Sequence, residues 1–173
     1  MPRSLDLVIT SVATQLMEAT GATATRVSER VLAQLVEQFN LDAGFLRHHD
    51  HDIRASVLVA EWPPRVGVPD PDPMAVVHFT SVDAVFAEGE NGRKPVVIRP
   101  EQNNRSFPRW AGGAKQTGPP SVAAAPLVSG EATTGVLGFV RFGARKWRQE
   151  EINTLEAVAA LFAQLQARIA AEE

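Results

Sequence analysis

The 173-residue chain is long enough to form one domain with a core of its own, and its 45% hydrophobic and 21% charged residues are ordinary for a globular protein. Seventeen basic against twenty acidic side chains leave a net charge of −3, which argues against a nucleic-acid binder, and no apolar run approaches the roughly 18 residues of a membrane helix. The absence of cysteine excludes disulfides, thiolate catalysis, thiolate metal sites and thioether-linked chromophores, and the chain reads as a cytoplasmic domain.

Apolar side chains at Leu5, Ile9, Val12 and Leu16 predict an amphipathic helix over 4–18. The stretch Thr20-Gly21-Ala22-Thr23 interrupts it, because Gly and β-branched residues are poor in helix interiors. Val27, Val31, Leu35 and Phe39 predict a second helix over 26–39. The period then changes to that of strands, at 43–47 and 55–62. Between them His48-His49-Asp50-His51-Asp52 reads as an exposed hairpin turn. Pro63, Pro64, Pro69, Pro71 and Pro73 make the next stretch a non-repetitive connection, since proline neither donates to a ladder nor continues a helix.

Met74 to Phe79 has strand character, Ser81 to Phe86 that of a short helix, and Lys94 to Arg99 that of an edge strand. Residues 100–120 read as loop. Ser121 to Val128 and Thr133 to Phe142 are predicted strands, joined by Ser129-Gly130-Glu131, whose glycine suits a hairpin. A long helix is expected over 150–170, with Leu155, Val158, Leu161, Phe162 and Leu165 on an apolar arc broader than one sheet contact requires. No Gly or Pro stops it, so it is expected to continue into a further domain.

The run Ser121-Val-Ala-Ala-Ala-Pro-Leu, with Gly135-Val-Leu and Trp147-Arg-Gln-Glu-Glu-Ile-Asn-Thr-Leu, resembles the last hairpin and last helix of GAF domains. Phe45-Leu-Arg-His, Leu58-Val-Ala-Glu-Trp-Pro-Pro-Arg and Pro69-Asp-Pro-Asp-Pro further resemble the N-terminal GAF segment of mycobacterial diguanylate cyclase/phosphodiesterases with GGDEF and EAL domains. The resemblance implies an α+β fold with a central antiparallel sheet of five or six strands. Its N- and C-terminal helices would share one face, and a ligand-pocket segment would cover the other. It also implies a helix and linker at 1–25, a sensor domain at 26–173, and a regulatory input for cyclic-di-GMP turnover. Neither a GGDEF nor an EAL motif is present, so the chain itself is expected to be no enzyme.

Between Arg93 and Lys115 stand six basic residues and one acid, Glu101. Guanidinium forks suit phosphate, and aromatic rings stack on bases. The candidate ligand residues are therefore Arg99, Arg105, Arg109 and Trp110, with Trp62, Ser121 and Arg141 from strands whose facing depends on register. The ligand would be a small anionic effector, a guanine nucleotide being the first candidate. A solvated basic loop is the competing reading, and with it a ligand-free dimerisation module with a collapsed pocket. The cyclic-GMP pattern N-K-x-x-F-x-x-x-D-E is missing.

The histidine-rich turn carries no metal on this reading, and His78, a lone histidine, is not taken as a haem ligand. Catalytic motifs such as G-x-S-x-G and H-E-x-x-H are absent. A homodimer is expected through Leu5, Ile9, Val12, Leu16 and the 150–170 helix, relaying to downstream GGDEF/EAL domains.

Overall fold

The computed structural model describes residues 5–81, 87–99, 120–143 and 146–172. Helices α1 (Leu5–Glu18) and α2 (Ala24–Gln38) come first, followed by strands β1 (Ala43–Asp50), β2 (Ala55–Trp62), β3 (Val76–His78) and β4 (Val96–Ile98). Strands β5 (Pro120–Ser129) and β6 (Ala132–Phe142) and helix α3 (Gln149–Glu172) complete the chain. The strands form a six-stranded sheet in the order β3-β2-β1-β6-β5-β4, and every neighbouring pair is antiparallel. The α+β architecture expected from the sequence is the one observed. Residues 82–86, expected to be helical, lie outside the described residues, as does the stretch 100–119.

All three helices lie on one face of the sheet. Val27, Val31 and Leu35 of α2 and Leu155, Val158 and Phe162 of α3 meet Leu46, Ala123, Ala125, Leu137 and Phe139 in one core. Helix α2 ends in a Schellman arrangement: Asn40 takes a positive φ of 53°, and the Leu41 amide donates to the Val36 carbonyl at 2.9 Å. That satisfies a carbonyl the helix end would otherwise leave unpaired.

Helix α1 corrects one expectation. Val12 and Leu16, assigned to an exposed dimer stripe, are 0% and 3% exposed, and Leu5 packs against the same core. They are used inside the chain. The Arg168 guanidinium of α3 donates to the carbonyls of Leu16 (3.0 Å), Met17 (3.1 Å) and Ala19 (2.6 Å), a cation placed at the C-terminal end of α1 where the helix dipole favours it. Docking of α1 thus explains the broad apolar arc of α3, which faces the sheet on one side and α1 on the other. What α1 leaves in solvent is Leu7 and Met17, 60% and 74% exposed.

The first hairpin corrects another. Strand β1 does not stop before the histidines: His48 pairs with Val57, His49 with Ser56 and Asp50 with Ala55, and the turn is closed at Arg54 with a φ of 50°. The ladder carries the polar residues because the face that His49 occupies is not the helix-packed core.

On that opposite face a smaller cluster gathers Phe45, Ile98, Val122 and Val140. Phe45 pairs directly with Gly138 across β1 and β6, and a Cβ at Gly138 would collide with the Phe45 ring. Glycine there lets the ring lie flat on the sheet, where it becomes part of the surface described next. Among the described residues no helix is long and apolar enough to cross a membrane.

Candidate functional site

Alternation along the strands sends Phe45 and His49 of β1, Ser56 of β2, Val122, Ala124 and Pro126 of β5, and Val136 of β6 to the face away from the helices, where they form the floor of a cavity of about 560 Å³. One wall is the segment from Glu88 to Ile98, which brings Arg93 and Lys94 to the rim; Phe79 closes another side. The lining is mostly hydrocarbon with a few polar groups, the usual make-up of a small-molecule site.

The wall segment is tied to both hairpin tips. Arg54 grips Glu90 with two hydrogen bonds, Nε to Oε2 at 3.0 Å and Nη2 to Oε1 at 2.8 Å. Thr133 Oγ1 donates to the Gly92 carbonyl at 2.7 Å, and Arg93 Nη2 donates to the Gly130 carbonyl at 2.9 Å. The hydrogen bonds from Arg54 hold the Glu90 carboxyl below its usual pKa, more than burial raises it. Arg54→Ala is expected to speed hydrogen exchange of the Glu90 to Arg93 amides while the melting temperature moves little, because the Arg54 side chain is solvent-exposed. Unchanged exchange in that segment would show that the ion pair does not hold the wall.

His49 is 3% exposed and stands edge-on to Phe79, with ring centroids 5.1 Å apart. Its Nδ1 has no hydrogen-bond partner. Burial, reinforced by the nearby His51, pushes its pKa down to about 4, so the ring is neutral at physiological pH. On the same face, between Phe45 and His49 and opposite Val136, lies Arg47, 2% exposed. Its Nε donates to Ser56 Oγ at 2.6 Å, and its Nη2 donates to the carbonyls of Ser56 (2.9 Å) and Met74 (2.7 Å). Desolvation lowers its pKa to about 10, and the charge of Arg65 adds to that; the fields of Asp72 and Glu61 oppose it. Those two carboxylates are themselves bound by Arg65, which orders the proline-rich connection.

The family model of the GAF domain matches residues 23–165. The chain belongs to the GAF domain family. It is 52% identical over 168 residues to uncharacterized proteins of Mycobacterium tuberculosis and Mycobacterium bovis, covering 97% of this chain and 27% of theirs, so it spans about a quarter of the length of these relatives. Among solved structures it resembles the GAF domain of a phosphoenolpyruvate-protein phosphotransferase from Coxiella burnetii, with TM-score 0.76, 15% identity, and 97% and 95% of the two chains covered. A phycocyanobilin-bound GAF domain from a cyanobacterial phytochrome aligns with TM-score 0.71 at 11% identity over 100% and 99% of the chains. Free methionine-R-sulfoxide reductase from Neisseria meningitidis, in complex with its substrate, aligns with TM-score 0.71 at 14% identity over 98% and 92%. At such identities these structures establish the fold.

Within this GAF domain the residues singled out from sequence separate. Arg105, Arg109 and Trp110 lie outside the described residues. Arg99 is exposed, one residue beyond the lining residue Ile98. Trp62 is 38% exposed at the end of β2 and is not part of the cavity lining.

Ser121 and Arg141 have a different task from ligand contact: they sit on the helix side of β5 and β6. Arg141 Nη2 donates to Glu151 Oε2 of α3 at 2.9 Å and to the Phe39 carbonyl at 3.1 Å, and its Nη1 to the Lys146 carbonyl at 3.0 Å. Trp147 stacks under the Arg141 guanidinium at 4.4 Å and donates from Nε1 to Ser121 Oγ at 3.0 Å. Glu151 Oε1 accepts the Arg148 amide at 2.8 Å, the carboxylate half of a capping box at the start of α3. The motif from Trp147 to Leu155 is therefore a joint between sheet and helix.

His49, Ser56 and Phe79 were not singled out as ligand residues from sequence. The signal for His49 is parity with Phe45 along β1, legible only once the strand is known to run through Asp50.

Proposed function

We propose that this GAF domain is the sensory input of a longer signalling protein, taking a small anionic effector in the cavity and passing its occupancy to an output through α3. One observation carries the reading. Strands β5 and β6 form part of the cavity floor on one face, with Val122, Ala124, Pro126 and Val136, and hold the start of α3 on the other through Ser121, Arg141 and Glu151. A ligand that moves these strands moves the helix.

Arg93 and Lys94 at the rim suit an anionic group, and the hydrocarbon floor suits a ring, so a guanine nucleotide is the first effector to test. The open cavity favours this reading over a dimerisation module with a collapsed pocket. The resemblance of its sequence motifs to GGDEF-EAL proteins supports cyclic-di-GMP turnover as the output, in a cytoplasmic homodimer. Residues 26–173 are the sensor on this reading, and 1–25 the helix and linker that dock on it; the chain performs no chemistry itself.

Thermal shift against guanine and adenine nucleotides tests the effector site. A ligand at a hundredfold its Kd adds about 2.7 kcal/mol to stability, a rise of roughly 5–10 °C for a chain of this size. No shift with any of these nucleotides, nor with other small ring-bearing anions, would overturn the proposal.

A further inference from the structure

The proline-rich connection after β2 is a strap with little apolar anchorage. From Pro63 to Pro73 no side chain joins either apolar cluster of the described residues, and Val66 is 84% exposed. Its order rests on polar links instead. A segment held in that way sits at the low end of local stability and responds to small changes at its anchors.

The links form a chain that begins and ends on β2. Ser56 and Glu61 are five residues apart, a spacing that in an unbroken strand sends side chains to opposite faces. The register of β1 against β2 shifts between Leu46 and Arg47, so that Ser56 opposes His49 while Glu61 opposes Phe45. This bulge brings both residues to the cavity face. At one end the Glu61 carboxylate accepts from Arg65 Nε at 3.1 and 2.9 Å, and Arg65 also donates to Asp72 from Nη1 and Nη2. Asp72 Oδ1 accepts the Met74 amide at 2.8 Å. The Met74 carbonyl accepts from Arg47 Nη2 at 2.7 Å, and Arg47 Nε donates to Ser56 Oγ at 2.6 Å. Met74 also packs against the cluster of Phe45, Ile98, Val122 and Val140. Burial pushes the Asp72 carboxyl up, but the hydrogen bonds of Arg65 and the Met74 amide outweigh it, and the charges of Arg65 and Arg47 act in the same direction.

We propose that this strap is a second reporter of the cavity: a change at Ser56, which lines it, passes through Arg47 to Met74 and alters the order of residues 63–75. Arg47 is the positioning residue of this route. The route goes beyond the one through α3, which leaves the sheet from β5 and β6, and it depends on the fold rather than on what occupies the cavity.

Amide hydrogen exchange of the full chain tests it. The reporters are the amides of Met74 and Ala75, which donate to Asp72 Oδ1 and to the Asp72 carbonyl. Ser56→Ala removes the acceptor of Arg47 Nε and is expected to speed both amides about tenfold, while the amides from Glu90 to Arg93 keep their rate. Arg54→Ala is expected to do the reverse. Asp72→Asn should also speed the two reporters, and with Ser56→Ala the rise should fall short of the product of the single rises, because both substitutions cut one chain. If Ser56→Ala fails to fold, Arg47→Lys, which keeps the charge and loses the fork, is read in the same way. Unmoved reporters, a uniform rise along the whole chain, or a double variant equal to the product would each overturn the coupling and leave the effector site standing. A chain that binds no small anion but shows the coupled exchange would overturn the effector site alone.

Discussion

Arg141→Ala is expected to lower the stability of the chain by about 3–5 kcal/mol, because it strands a buried carboxylate. Both side chains of the Arg141–Glu151 pair are 5% exposed. Burial pushes the Glu151 carboxyl up, but the Arg141 hydrogen bonds and the Arg148 amide outweigh it, and the net pKa is below the usual carboxylate range. Its stabilisation is therefore fully present above the unfolded value near 4.5 and lost as pH falls through the lower folded value. Urea denaturation at pH 7 reads the loss, and at acid pH the gap between unmodified chain and variant should narrow as the carboxylate protonates. The variant also removes the cation stacked on Trp147 and four hydrogen bonds from Nη1 and Nη2 to backbone and carboxylate oxygens, so local packing adds to the electrostatic loss. A loss under about 1 kcal/mol would mean that water replaces the guanidinium and that the joint is wet. Replacing both partners by methionine should recover part of the loss, since a matched apolar pair leaves no unpaired charge.

The helices and the long hairpin were legible because their signals are local. The spacing of Val27, Val31 and Leu35 needs no knowledge of the partner to indicate a helix face. The segment from Trp147 to Leu155 marks the start of a helix, and Glu151 proves to cap it. What distant partners decide was not legible. Val12 and Leu16 have the same pattern whether α1 docks on α3 or on a second chain, and only the packing of α3 and its Arg168 resolves the choice. The strand face of Ser121 and Arg141 depends on register, which a single residue of slip inverts. The polar run from His48 to Asp52 suggested a turn by composition, yet the ladder accepts His49 because the cavity face supplies Phe79 for its ring to pack against. Arg93 and Lys94, counted in the basic run, do reach the rim.

Acidification from pH 7 to pH 5 is expected to destabilise the chain by about 2 kcal/mol through His49 alone. In the unfolded chain the imidazole titrates near its ordinary 6.5, and in the folded chain at about 4, because burial and then the neighbouring His51 oppose the charged form. Between these values the unfolded state binds a proton that the folded state refuses, so stability falls as pH falls through this window and is level above it. The backbone carbonyls of Thr133 and Glu90 favour the charged form, but by less than burial and then the neighbouring His51 oppose it. Phe79 packs edge-on against it, Nδ1 meets no acceptor, and the Glu90 carboxylate is gripped by Arg54. Glu90, Asp72 and Glu151 all have depressed pKa values, so their contributions fade only at lower pH and leave the window from 7 to 5 to histidine. Urea midpoints measured across that window should decline for the unmodified chain at constant m-value, and His49→Leu should flatten the decline. A flat profile for the unmodified chain would show that the imidazole finds water or an acceptor when protonated, and the Nδ1 side of the ring would then be wet rather than dry.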